Sequence, residues 1–298
     1  MDRIGFVGLG IMGKPMVKNL LKAGRDVMVS DLNQAAVDEV VALGATYGSY
    51  KDLAEKCDVV FTILPTAQIV QGVLFGPDGI AEYLAPGKVC CDMSSVTATE
   101  SQFCYNELKK KGIGFVDAPV SGGEPGAIAG TLAIMCGGDE ADYERLVPVF
   151  DILGSSSMMI GPSGSGSVTK LANQIIVNLN IAAVSEALTL ATKAGVDPMK
   201  VYKAIRGGLA GSTVLDAKAP MMCGRNFKPG GTIKVNNKDI KNVLATAHDL
   251  LVPLPLTAIL YEIQQTLIAN GHVMDDHSGY VQFYEMLAGV TVKSDEKA

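Results

Sequence analysis

Apolar residues in the first 160 positions fall into short unbroken runs, separated by stretches in which they recur at helical spacing. Residues 4–7 form one run, 12–23 have the spacing of an amphipathic helix, and 26–30 form a second run, which predicts a βαβ unit. Further buried strands are predicted at 59–64, 89–92, 114–116 and 132–136, with helices at 34–43, 99–111 and 141–153. Strands apolar on both faces and alternating with helices specify an α/β, doubly wound, mostly parallel sheet.

The pattern changes at a Gly/Ser-rich hinge, Ser163-Gly-Ser-Gly-Ser167, behind which helical spacing runs to about Ala194. Asp197 followed by Pro198 predicts an N-cap with proline at the first helical position, and Asn270-Gly271 closes a helix begun near Leu256. No strand signal follows the hinge. The expected organisation is an α/β domain over 1–163 and an all-helical domain over 164–298, joined by the long helix, with residues 293–298 as a solvated tail.

Gly8-Leu9-Gly10-Ile11-Met12-Gly13 lies between the first strand and the first helix and fits G-x-G-x-x-G. In that setting Gly8 makes the turn, Gly10 lets backbone approach a pyrophosphate, and Gly13 allows close helix packing. Asp31 ends the second strand, 21 positions after Gly10, where a carboxylate accepts from ribose hydroxyls and repels a 2′-phosphate. The α/β domain is therefore expected to be a Rossmann-type dinucleotide-binding domain that takes NAD, with NADP possible. A βα turn without ligand is the alternative reading of the glycines. Lys14 and Arg25 read as phosphate neighbours or as a solvated helix face. Leu64-Pro65 and Ser94-Ser95 end two further strands at the same edge; Ser95 would bond cofactor or substrate, or serve only the turn.

Composition narrows the partners. Of 298 residues, 48% are hydrophobic and 19% charged, and the net charge is −6 with no basic cluster, which argues against a nucleic-acid partner. Mean hydropathy is positive, yet the most apolar long segment, 171–194, is broken by Asn173, Gln174, Asn178, Asn180 and Glu186 and reads as a buried helix, so no membrane partner is expected. Asp2 and Arg3 precede the first strand without a secretory pattern, so a cytoplasmic protein is expected. Six cysteines without a C-x-x-C pair and three histidines suggest neither a metal site nor a disulfide framework.

Two segments carry candidate catalytic chemistry. Asp117-Ala-Pro-Val-Ser-Gly-Gly123 follows a strand, and the Ser121 hydroxyl with the N–H groups of Gly122 and Gly123 would suit a substrate carboxylate; a plain glycine turn is the alternative. Lys170 stands early in the helix after the hinge, with Asn173 and Gln174 on the same face. An exposed lysine beside two amides would be unremarkable, but at a hinge between domains its ammonium would stabilise and protonate the alkoxide that hydride delivery to an aldehyde creates. A lysine of ordinary pKa, roughly 10.4, is charged at neutral pH, which favours reduction over oxidation.

These motifs together resemble the β-hydroxyacid dehydrogenase family over almost the whole chain. The resemblance is carried by Gly8 to Gly13, Asp117 to Gly123 with Ala129-Gly-Thr-Leu132, Gly166 to Lys170 with Asn173, and Lys238-Asp239. Lys170-Leu-Ala-Asn-Gln174, 185–195, 206–212 and 215–220 resemble a branch that reduces 2-hydroxy-3-oxopropanoate; most relatives have Asn where Gln174 stands. The resemblance implies that Lys170 is the acid/base and that Asn173 orients it or the substrate. Ser121, Gly122, Gly123 and Gln174 would bind a small carboxylate-bearing aldehyde or 3-hydroxy acid, while Ser95 and Lys238 contact the cofactor. It also implies a homodimer or homotetramer. Other readings are a sibling 3-hydroxy acid dehydrogenase, an imine reductase, disfavoured by Lys170, and a non-catalytic dinucleotide-binding module.

Overall fold

A computed structural model describes residues 3–296; the N-terminal Asp2 and the last two residues of the expected tail lie outside the described residues. The chain divides into two compact units, Met1–Lys170 and Leu171–Ala298.

In the first unit the chain runs through β1 (Arg3–Val7), α1 (Gly13–Lys22), β2 (Asp26–Ser30), α2 (Gln34–Val41), β3 (Thr46–Tyr47), α3 (Tyr50–Lys56) and β4 (Val59–Thr62). It continues through α4 (Ala67–Phe75), α5 (Ile80–Tyr83), β5 (Val89–Asp92), α6 (Ala98–Lys109), β6 (Gly114–Asp117), β7 (Val120–Ser121), α7 (Gly123–Ala129), β8 (Leu132–Gly138), α8 (Glu140–Leu153) and β9 (Gly154–Gly161). The strands form one sheet in the order β3-β2-β1-β4-β5-β6-β8-β7, with β9 beside β8. Pairing is parallel from β3 to β6 and between β8 and β9, and antiparallel where β8 meets β6 and β7.

Alternation along the central strands explains why the sheet is covered on both sides. Val59, Phe61, Val89 and Cys91 pack with Phe6, Met16, Leu20 and Phe150 on one face, whereas Val60 and Cys90 pack with Leu53, Leu74, Leu108 and Phe115 on the other. This is the doubly wound arrangement that the apolar runs predict. Not anticipated were α3, α4, α5, α7 and the strands β3, β7 and β9. β9 escaped because Ser155-Ser-Ser157 carries no apolar run; it is held by backbone pairing to β8 and is largely exposed. Capping boxes at Ser49/Asp52 and Thr97/Glu100 start α3 and α6.

The helix α9 (Ser165–Lys193) begins in the first unit and continues into the second, followed by α10 (Pro198–Ile205), α11 (Thr213–Cys223), α12 (Ile233–Asp249), α13 (Pro255–Ala269), a 3₁₀ turn at His277–Tyr280 and α14 (Val281–Ala288). By length and mean hydropathy alone α9 would be long and apolar enough to cross a bilayer. Leu171, Ile181, Ala182, Val184 and Leu188 instead join the core of the second unit, with Tyr280 and Leu267. Three of its buried polar side chains bond back within the helix: Asn178 donates to the Gln174 carbonyl, Ser185 to Ile181 and Thr189 to Ser185. The tail is not simply solvated. Ser294 donates from its hydroxyl to the Asp197 carboxylate and from its N–H to the Cys223 carbonyl, just behind the fully buried Val292.

Candidate active site

The glycine loop after β1 is shaped by contacts that admit no side chain. Gly8 has φ +104°, and a Cβ there would stand 2.3 Å from the Ile63 carbonyl oxygen; one on Gly13 would stand 1.9 Å from the Gly8 carbonyl oxygen. Around Gly10 nothing lies within 4 Å of the Cβ position, and Gly10 and Ile11 are exposed while Leu9 is buried. Two of the glycines thus serve packing, and the third borders open space at the start of α1, beside Met12, where helix N–H groups suit a phosphate. Asp31 closes this loop from β2: one carboxylate oxygen accepts the Leu9 N–H at 2.5 Å and the other the Asn33 N–H at 2.7 Å. A carboxylate has lone pairs beyond these two, so ribose hydroxyls remain compatible with it. The chain's residues fit a dinucleotide here. Lys14 instead pairs with Glu39, and Arg25 reaches the Pro148 carbonyl, both on the surface.

The ends of β4 and β5 are tied by a carboxylate that sequence reasoning missed. Asp92, 2% exposed, accepts from the Thr62 hydroxyl at 2.7 Å and the Ser94 hydroxyl at 2.6 Å, and Ser94 Oγ accepts the Leu64 N–H at 2.8 Å. Leu64 is therefore set by Ser94, next to the expected Ser95, which is half-buried; Pro65 is exposed.

The next strand end holds the candidate substrate loop. Ser121 is half-buried, Gly122 and Gly123 are exposed with φ +137° and +60°, and Gly123 opens α7. Asp117, at the start of this segment, is 1% exposed and faces away from solvent towards the start of α9. Its two oxygens accept the Gly164 N–H at 2.7 Å and the Ser167 N–H at 2.8 Å. Burial pushes its carboxyl up to about 6, although both backbone N–H bonds pull the other way. Ser167 also shares a 2.8 Å hydrogen bond with Ser101, and Gln102 donates to the Ser163 carbonyl. Lys170, half-buried, follows Ser167 by three residues on the same helix.

Within the second unit three of the expected residues meet in one buried polar chain. Asn173 donates to Gln174 Oε1 at 3.0 Å, Gln174 Nε2 donates to Asp239 Oδ2 at 2.6 Å, and Lys238 Nζ lies 3.1 Å from Asp239 Oδ1. Gln174 is 6% exposed and its amide is engaged at both ends, a geometry that joins Asn173 to Asp239; substrate contact was its expected role. A second string supports it: Gln264 donates to Tyr280, Tyr280 to Asn178, and Asn178 to the Gln174 carbonyl. Asp239 was named in sequence only as part of a motif. Its signal, an acid on the buried face of a helix, becomes legible only once α12 is oriented.

Comparison with known proteins bears on these groups. Residues 3–161 match the family described as the NAD binding domain of 6-phosphogluconate dehydrogenase, and residues 164–284 the family described as NAD-binding of NADP-dependent 3-hydroxyisobutyrate dehydrogenase. The chain is 43% identical over 287 residues to 2-hydroxy-3-oxopropionate reductase of Escherichia coli (strain K12), covering 96% of this chain and 98% of that protein. It is 38% identical over 297 residues to 2-(hydroxymethyl)glutarate dehydrogenase of Eubacterium barkeri, covering 99% and 98%. Among solved structures, 3-hydroxyisobutyrate dehydrogenase of Mycobacterium tuberculosis with L-serine is similar at a TM-score of 0.87 and 29% identity, over 95% of this chain and 99% of that one.

Proposed function

The chain belongs to the β-hydroxyacid dehydrogenase family, and from that premise we propose that it reduces 2-hydroxy-3-oxopropanoate (tartronate semialdehyde) to glycerate with NADH. The observation that carries the choice of substrate is the 43% identity to the Escherichia coli reductase along 96% of the chain. In this reading Gly8, Leu9, Gly10, Ile11, Met12, Gly13, Asp31, Leu64, Pro65, Ser95 and Lys238 hold the cofactor, which supplies the hydride when bound. Ser121, Gly122 and Gly123 take the substrate carboxylate, and the Lys170 ammonium stabilises the charge that grows on the aldehyde oxygen and then gives that oxygen a proton. Asn173 orients Lys170 or the substrate. Residues 1–163 would serve the dinucleotide, and residues 164–298 the substrate and a homodimeric or homotetrameric assembly.

The 38% identity to 2-(hydroxymethyl)glutarate dehydrogenase supports a second reading, a sibling enzyme acting on a larger 3-hydroxy acid. A panel of semialdehydes and 3-hydroxy acids, assayed at neutral pH in both directions with NADH/NAD and NADPH/NADP, separates the two. The proposal expects the highest kcat/KM for 2-hydroxy-3-oxopropanoate with NADH. A higher value for 2-hydroxymethylglutarate or 3-hydroxyisobutyrate would replace it by the sibling reading.

A further inference from the structure

A helix N-terminus offers N–H groups that need acceptors, and several other helices of this chain obtain one from a local side chain. Ser49, Thr66, Thr97 and Asp197 each cap the helix that follows them. At α9 the acceptor comes from 47 and 50 residues earlier in the chain: Asp117 bridges the N–H groups of Gly164 and Ser167 with its two oxygens. This is a costly way to cap a helix, because the carboxylate is buried and burial pushes it up to about 6.

The same junction is packed to the limit. A Cβ on Gly166 would stand 2.3 Å from the Met135 carbonyl oxygen and 2.6 Å from that of Asp117. One on Gly137 would stand 2.8 Å from Asp117 Oδ1 and from the amide nitrogens of Ser165 and Gly166. The start of α9 is thus pressed on the ends of β6 and β8 with no room for a methyl group, and the Ser101–Ser167 bond adds α6. Lys170 stands three residues beyond Ser167, on the same side of the helix and about 4.5 Å further along its axis.

We propose that Asp117 is a positioning residue for Lys170: its buried carboxylate locks the first turn of α9 to the end of β6, and thereby fixes the ammonium against the loop that Asp117 itself begins. The proposal rests on the reading of Lys170 as proton donor. A carboxylate fits this duty because it presents two acceptors and no donor to two N–H groups at a helix N-terminus. An amide of the same shape presents one acceptor and turns an NH₂ donor towards the other N–H.

The test compares Asp117→Asn, Ser101→Ala and Lys170→Ala with the wild-type chain by kcat and KM for the best substrate of the panel, NADH affinity from cofactor fluorescence, and thermal midpoint. A misplacement on the order of 1 Å costs up to about 100-fold in rate. Asp117→Asn is expected to lower kcat at least about tenfold while NADH affinity stays within about twofold, and Ser101→Ala, which removes a weaker neighbouring tie, to lower kcat by about two- to fivefold. Adding Asp117→Asn to Lys170→Ala is expected to cause no further loss. If folded Asp117→Asn turns over within about twofold of wild type while Lys170→Ala is inactive, the positioning role fails and the reading of Lys170 stands. If Lys170→Ala itself turns over normally, both fail. Should Asp117→Asn not fold, a wild-type kcat in Ser101→Ala overturns the proposal, and the expected loss supports it.

Discussion

Alanine at Gly10 and alanine at Gly13 have opposite expected consequences, although the two glycines stand three residues apart in one motif. At Gly10 no heavy atom lies within 4 Å of the new Cβ, and its φ is not in the left-handed region, so the folded state admits alanine without strain. The unfolded chain loses freedom, which stabilises by about 0.4–1 kcal/mol. If backbone approaches the pyrophosphate here, the methyl occupies that space, and NADH affinity is expected to fall at least about tenfold, or about 1.4 kcal/mol. At Gly13 the Cβ would stand 1.9 Å from the Gly8 carbonyl oxygen and 2.9 Å from Ile63 Cγ2. Backbone cannot rotate away as a side chain does, so α1 must move off β1, at the upper end of the roughly 1–3 kcal/mol typical of overpacking. Urea unfolding followed by circular dichroism measures stability, and because the chain has no tryptophan the fluorescence of NADH reports binding against a low protein background. NADH affinity unchanged in Gly10→Ala would refute the placement of the pyrophosphate, and wild-type stability in Gly13→Ala would refute the packing argument.

Asp31→Asn should weaken NADH more than NADPH and narrow the preference between them; an unchanged ratio in parallel titrations removes the ribose role from Asp31. Asp117 and Asp276 give stability opposite dependences on pH. Burial raises Asp117 to about 6, above its unfolded value of 3.8, so the native state binds the proton more tightly and stability falls by about 3 kcal/mol as pH rises from 4 through 6. Asp276 is fully buried, which opposes its ionisation, but His277, Lys218 and the Ser278 N–H outweigh burial and lower it to about 2. It contributes about 2 kcal/mol above pH 4 that is lost as pH falls through 2, and urea titrations should find that contribution missing in Asp276→Asn at pH 7. All six cysteines are buried, and burial holds Cys57 and Cys223 near 11 and Cys104 and Cys136 near 12. A disulfide reagent should therefore label the native protein slowly and the guanidinium-unfolded chain completely; rapid native labelling would contradict that burial.

What could be read from sequence follows the range of the interaction that creates each feature. The strands at β1, β2, β4 and β5 announce themselves because both faces are buried, and the glycine motif because its spacing is local. β9 does not, since its first half is Gly154-Ser-Ser-Ser157, its apolar part is only Met158-Met-Ile160, and it is held by backbone pairing to β8. The structural roles of the buried acids are hidden from sequence for a related reason. Asp92, Asp117 and Asp239 find their partners 30, 47 and 65 residues away, and nothing in a local pattern reports such a distance. A trace was present, since Val89-Cys-Cys-Asp92 and Gly114-Phe-Val-Asp117 each end an apolar strand on a single charge. Read as strand punctuation, such a charge looks exposed; in the fold its neighbours in adjacent segments enclose it.

The energetics of these acids separate folding from function at this sheet edge. Acids that serve stability in this chain have partners that favour the ionised form, as Lys218 and Ser278 do for Asp276. Asp117 is different, because two N–H bonds do not compensate its burial, and the ionised form costs the native state about 3 kcal/mol at neutral pH relative to an ordinary carboxyl. An amide at the same place would remove that cost and lose one hydrogen bond of about 1–3 kcal/mol, so stability alone gives little reason to prefer the acid. The carboxylate does supply two acceptors that hold one turn of α9 from both sides, and that turn leads directly to Lys170. Stability close to wild type together with lost turnover in Asp117→Asn is therefore the combination that a positioning role requires, and a purely structural cap would lose both together.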